Sequence, residues 1–166
     1  MITPDYCREM ARYNAWQNDQ LREAIYGLPV AEITRDRGAF FGSILGTANH
    51  LLWGDDMWMA RFGAGPLPEI ALAESPALTP TPAAWAGARR RLDMRIIAWA
   101  DRLAALDLVG DVSFFSGVEQ REMSLPVGLA ITHFFNHQTH HRGQIHTMLT
   151  QAGAAGPVTD LIFRKR

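Results

Sequence analysis

Proline placement constrains this chain more than any other feature. Pro4, Pro82 and Pro126 each head a long run with no second proline, whereas five prolines crowd residues 66–82, a stretch without amphipathic period. Proline fits the first helical turn, where its missing N–H costs nothing, and is expelled from helix interiors. The first run reaches Tyr26 before Gly27 supplies a stop signal, giving helix one. After a polar connection from Glu32 to Arg37, Phe40, Phe41, Ile44, Leu45, Ala48, Leu51 and Leu52 recur at helical spacing. That pattern continues to Phe62, where GAGP breaks it, giving helix two. The proline-rich stretch then reads as a long crossing connection over the surface. Thr81-Pro82 reads as an N-cap with proline at the first helical position, and Trp85, Ala88, Leu92, Ile96, Trp99, Leu103 and Leu106 follow as helix three.

Between Gly110 and Pro126 the sequence DVSFFSGVEQREMSLP holds a β-branched and aromatic run, a Ser116-Gly117 turn and a second alternating run, the pattern of a small hairpin. Pro126 opens the last long segment, which continues past Gly143 through Ile145, Met148 and Leu149 until GAAGP ends it. The expected fold is all-α: a four-helix bundle with a long crossover connection and a small β-hairpin before the last helix, in one domain over residues 1–166. Internal repeats and low-complexity tracts are absent from the sequence.

Charge narrows the partners. Lys and Arg nearly balance Asp and Glu, leaving a formal net charge of -1, so the basic field that draws proteins to phosphate backbones is missing and nucleic acid is not expected. The single cysteine, Cys7, cannot make an internal disulfide, in keeping with a reducing compartment. Charges interrupt the opening MITPDYCREMARYNAWQ where a secretory signal has its apolar run, and no apolar stretch is long enough to span a bilayer. A soluble cytoplasmic protein with no membrane partner is the expectation.

Five of the six histidines fall in helix four, in ITHFFNHQTHHRGQIHTML. Ala130, Phe134, His137, His141, Ile145 and Met148 are spaced by three or four residues, so His137 and His141 occupy positions where a bundle core expects apolar side chains. Residues four apart share a helix face, which lets two imidazoles converge on one cation. The histidine outside this segment, His50, lies mid-helix in TANHLLWGDDMW, and closes a three-histidine site if helices two and four are neighbours. Three neutral imidazoles would leave coordination positions open, as in catalytic rather than structural zinc sites. The competing reading makes a core histidine a hydrogen-bonded packing residue.

Other residues read differently. His133 continues the four-residue series and is either a ligand or a partner behind the ligands. His140 lies about 60° from His137 around the helix, and it and His146 are expected to be exposed or interhelical. Asp55 and Asp56 offer a carboxylate but read as a solvated face. Arg142, Tyr13, Asn14 and Trp16 could line a pocket; their plainer reading is an exposed charge and ordinary core or capping residues. No HExxH motif or nucleophile elbow supplies a general base, and Cys7 is remote in sequence.

Three stretches together, ARYNAWQNDQL, ANHLLWGDDMW and HFFNHQTHHRGQIHTMLTQAG, resemble the DinB-like (DinB/YfiT) family, and the likeness runs from about Met1 to the terminal PVTDLIFRKR. The resemblance implies a four-helix bundle, frequent homodimers, and a divalent metal held by three histidines matching His50, His137 and His141. The family's better-understood members look like metal-dependent transferases or isomerases that use low-molecular-weight thiols such as bacillithiol or mycothiol, which implies a thiol-using enzyme acting on a small-molecule substrate; a hydrolase is the variant in which the metal activates water. Imidazole ligands suit several metals, with zinc or nickel the expectation. A second reading is a non-catalytic, dimeric, stress-related protein with the metal as a clamp.

Overall fold

Each of the first three long helices begins where a side-chain oxygen meets an orphaned backbone donor. The computed structural model describes residues 2–165. In α1 (Pro4–Tyr26) the Thr3 hydroxyl accepts from Tyr6 N at 3.1 Å, and in α4 (Pro82–Arg102) the Thr81 hydroxyl accepts from Ala84 N at 3.2 Å, each with proline in the first turn. A short helix, α2 (Val30–Thr34), interrupts the connection read as polar, and Ser43 Oγ caps α3 (Ile44–Arg61) by accepting from Gly46 N at 3.0 Å. Helix α3 therefore starts later than the apolar spacing predicts. Gly42, at φ 74°, donates to Ala39 O at 2.8 Å and closes a tight turn, so Phe40 and Phe41 stand on a loop rather than on the helix. Helix α4 stops earlier than expected, because Leu103 turns extended and Leu106 falls in a 3-10 turn at 80% exposure.

Strands β1 (Asp111–Ser116) and β2 (Arg121–Pro126) form the expected antiparallel hairpin, with Asp111 opposite Pro126 and Ser116 opposite Arg121. Its second strand runs directly into α5 (Val127–Gln151), whose first N–H donates to Gly110 O at 3.0 Å.

Cross-helix contacts give the directions of the four long helices. Trp85 donates to Ala48 O near the starts of α4 and α3, and Phe62 stacks on Trp99 near their ends, so α3 and α4 run parallel. His50 meets His141 while Phe62 meets Phe134, so α3 and α5 are antiparallel. Tyr6 touches Phe135 and Asn14 touches Arg142, so α1 and α5 are parallel. The order is up-down-down-up, and it requires the long connection over residues 62–81 to return along the bundle before α4 can start beside α3. None of the described helices is long and apolar enough to cross a membrane.

The core combines an apolar layer with a buried ionic one. Ile44, Met59, Ile96, Phe134, Ile145 and Leu149 are completely enclosed. Among them, Arg89 on α4 donates to Asp55 Oδ2 on α3 at 2.7 Å, and its other terminal nitrogen lies 2.9 Å from Asp93 Oδ1. Asn14 and Asn18 on α1 donate to the same Asp93 oxygen at 3.2 and 2.9 Å, and Arg142 on α5 donates to Asn14. Removing one partner of such a pair leaves an uncompensated buried charge. Arg89→Ala is expected to destabilise the protein by about 3–5 kcal/mol, read as a lower urea midpoint in the circular dichroism of the metal-free chain; an unchanged midpoint would show that the carboxylates find other partners.

Candidate metal centre

The antiparallel contact of α3 with α5 decides which side chains meet. His50, Gly54 and Trp58 follow one another at steps of four along α3, and His141, His137 and His133 oppose them in that order along α5. Ring centroids lie 4.7 Å apart for His50 and His141, 5.4 Å for His50 and His137, and 4.4 Å for His137 and His141. One ring nitrogen from each of the three lies within 4.8 Å of the other two. No other group of three His, Cys, Asp or Glu meets that spacing among the described residues.

The donor set fits a cation. His137 Nε2 and His141 Nε2 face each other at 3.0 Å. Two nitrogens bound to one ion at about 2.0–2.1 Å each and roughly a right to tetrahedral angle sit about 2.8–3.4 Å apart. Two of the rings are braced from behind, as metal-ligating imidazoles generally are. His141 Nδ1 donates to Gln144 Oε1 at 2.8 Å, while the Gln144 amide nitrogen reaches His140 Nε2 at 3.2 Å, which fixes the orientation of that amide. His50 Nδ1 lies 3.0 Å from Ser75 Oγ, in a short 3-10 turn of the crossover connection. With Nδ1–H directed at these partners, the Nε2 lone pairs of His50 and His141 are left for the ion. The third ring is held by shape. A Cβ at Gly54 would lie 2.9 Å from His137 Cε1, so the bare backbone of α3 forms the seat for that imidazole.

Phe41 closes one side, stacked on His50 with centroids 3.7 Å apart and 5.6 Å from His141. Burial sets the charge state. His50 is lowered to about 4, by burial first and the neighbouring His141 second, and His137 to about 3, by burial and then the surrounding histidines. His141 is lowered for the same first reason. Neutral imidazoles are the form a metal requires.

Sequence reasoning brought together His50, His137 and His141 and left out the residues that position them. Ser75, Gln144, Gly54 and Phe41 carry no sequence signal of this role: Ser75 lies in the irregular connection, and Phe41 reads as one more apolar residue of a helical stripe. His133 stays outside the group, its ring against Trp58 at 5.2 Å, and His140 is exposed. His146 is half-buried, packed where a Cβ on Gly156 would lie 2.8 Å from its ring.

Two expectations are corrected. Asp55 is fully enclosed rather than solvated, because Arg89 answers it, whereas Asp56 pairs with Arg95 at 2.6 Å near the surface. Arg142 is buried rather than exposed, lying over Tyr13 and against Asn14 on the far side of α5 from solvent. Tyr13 is a core residue whose hydroxyl donates to Thr159 O, and Trp16 is half-buried beside it. Cys7 is enclosed, and burial raises its thiol to about 11, which disfavours the thiolate that a nucleophile needs.

A bundle with parallel central helices and three imidazoles converging from two antiparallel ones defines a helical scaffold built around a site of metal-binding spacing. The model of the DinB family matches residues 1–166, and the chain belongs to that family. It is 29% identical over 162 residues to Protein DinB of Bacillus subtilis (strain 168), covering 94% of this chain and 91% of that protein. The fold is similar to that of YfiT from Bacillus subtilis, described as a probable metal-dependent hydrolase with an unusual four-helix bundle topology, at a TM-score of 0.68, 14% identity and coverage of 93% and 92% of the two chains. It is also similar to a DinB-like protein from Bacillus cereus ATCC 10987, at a TM-score of 0.66, 17% identity and coverage of 86% and 90%.

Two outcomes follow from this geometry. In the metal-free protein the imidazole resonances of His50 and His137 are expected to titrate near pH 4 and 3, well below 6.5. The stability these neutral rings contribute is present above pH 6.5 and lost as pH falls through those lower values, because the unfolded chain takes up the protons first. Gly54→Ala is expected to leave the helical circular dichroism intact and weaken zinc binding at least about tenfold in a chelator competition, by pushing the His137 ring off its seat; unchanged affinity would mean that the seat is not needed.

Proposed function

We propose that this protein is a metal-dependent enzyme in which His50, His137 and His141 hold one divalent ion, zinc or nickel, and a small-molecule substrate reacts at the coordination positions they leave open. The observation that carries this reading is the convergence of three neutral imidazoles with no carboxylate or thiol in the group. Three protein ligands with space for a fourth is the pattern of catalytic zinc sites, whereas structural sites are closed by four. A bound ion would supply Lewis-acid chemistry and lower the pKa of water or of a thiol, which makes hydrolysis or thiol transfer the matching reaction classes.

The chain's own residues set the rest. Ser75 and Gln144 stand at Nδ1 of two of the rings, where accepting from Nδ1–H leaves Nε2 to face the ion. Phe41 keeps water off one flank of His50 and so directs approach to the remaining side. Hydrolysis agrees with the description given for YfiT, a relative in fold. Thiol transfer rests on the family resemblance, as does homodimerisation, which light scattering measures directly.

Elemental analysis of the purified protein is expected to give about one divalent ion per chain, with metal and turnover lost together in His137→Ala. Turnover is screened with ester and amide substrates in water, and with electrophiles plus small thiols. Stoichiometric metal whose removal leaves every detected turnover unchanged would sink the enzyme reading in favour of a non-catalytic metal-binding protein. Full metal occupancy in His50→Ala, His137→Ala and His141→Ala alike would sink the site.

A further inference from the structure

Several arginines are answered by carboxylates: Arg12 by Asp101, Arg37 by Glu32, Arg89 by Asp55 and Arg95 by Asp56. Arg61, in the last turn of α3, is not. Its guanidinium carbon lies 4.6 Å from the Trp58 ring centroid and 3.9 Å from that of Phe114. Among the described residues no carboxylate lies within ion-pair distance of it. Two rings hold the cation in place while its planar set of N–H donors meets no carboxylate among the described residues.

Arg61 is one of the residues that line a recess between the end of α3, the end of α4 and the hairpin. Arg102, likewise without a carboxylate partner among the described residues, lines the same recess, and Trp99, Leu103 and Val112 give it apolar walls. Two acidic residues also line it and limit the charge it can accept. The Asp107 carboxylate is occupied by Ala104 N at 2.8 Å, and Asp111 stands exposed at the head of β1. With two guanidinium groups set against two carboxylates, a singly charged anion is favoured over a dianion. Burial already lowers Arg61 from its ordinary value, a penalty on the charged form that a bound anion relieves.

We propose that this recess binds a small monocarboxylate with an apolar body, the carboxylate on Arg61 and Arg102 and the body against Trp99 and Leu103. Arginine suits the role because its fork matches a carboxylate in two hydrogen bonds at once. The recess is distinct from the histidine cluster: Arg61 lies about 10 Å along α3 from Gly54, at 1.5 Å per residue. It does not depend on a metal.

Benzoate is the probe, with benzyl alcohol as its neutral counterpart and terephthalate as the dianion. Titrated into the isotopically labelled full-length protein, benzoate is expected to give saturable shifts of the Trp99 indole N–H and the Arg61 side-chain N–H resonances, larger than those from either control. Arg61→Gln is expected to weaken benzoate binding about tenfold, the usual size for a charge-assisted hydrogen bond, and Arg61→Lys to recover part of it. Arg102→Gln, on the rim and outside the aromatic contact, gives the same reading if Arg61→Gln perturbs folding. Zinc affinity at the histidines is expected to stay unchanged in Arg102→Gln, which separates this site from the metal centre. Absence of saturable shifts, equal response to benzyl alcohol, or unaltered binding in both glutamine variants would overturn the proposal.

Discussion

The buried guanidinium of Arg89 is the interaction on which the rest of the structure depends. It ties α4 to α3 through Asp55, and through Asp93 it shares a carboxylate with Asn14 and Asn18 of α1. Arg142 extends the same polar layer to α5 by way of Asn14. All four long helices therefore meet in one network. Apolar contacts tolerate a shift of one helix along another better than paired charges do, since a displaced buried charge has no alternative partner. Asp55 follows Gly54 directly and Arg142 follows His141 directly, so the network that aligns the helices also sets the register of the histidine cluster.

That arrangement explains what could be read from the residues and what could not. Helix starts at Pro4 and Pro82 were legible from proline in the first turn, and at Pro82 also from the threonine before it; in the structure the hydroxyls of both Thr3 and Thr81 make the cap. The hairpin was legible from alternation around Ser116-Gly117. The pair His137 and His141 was legible because four-residue spacing on a core-facing helix is a local property. His50 was harder: its place opposite them depends on α3 and α5 being antiparallel neighbours, a tertiary fact not legible in the residues, and only the family resemblance named it as the third ligand. Phe40 and Phe41 misled because their spacing fits a helical stripe while Gly42 adopts a left-handed conformation that ends it. Asp55 and Arg142 misled because a charged residue reads as exposed unless its partner is known, and both partners lie far away in sequence.

The two arginine settings show how the same side chain serves opposite ends. Arg89 is enclosed and paired with two carboxylates, so it contributes alignment. Arg61 is half-buried on aromatic rings with no carboxylate partner among the described residues, the setting on which the proposed recognition role rests. Enclosure with a partner and enclosure without one are different physical states, and counting arginines in the composition cannot tell them apart.

The brace behind His50 has a wider consequence. Ser75 belongs to the crossover connection, which has almost no regular secondary structure, yet it touches a ring of the histidine cluster. Asn49, the residue before His50, donates to Pro76 O and Thr79 O in the same segment at 2.9 and 3.0 Å. A connection anchored at these points cannot drift in length as an ordinary surface loop does. Anyone grafting this bundle as a scaffold, or splitting the chain into two pieces at its longest irregular stretch, would be cutting into the support of the site rather than into a spare tether.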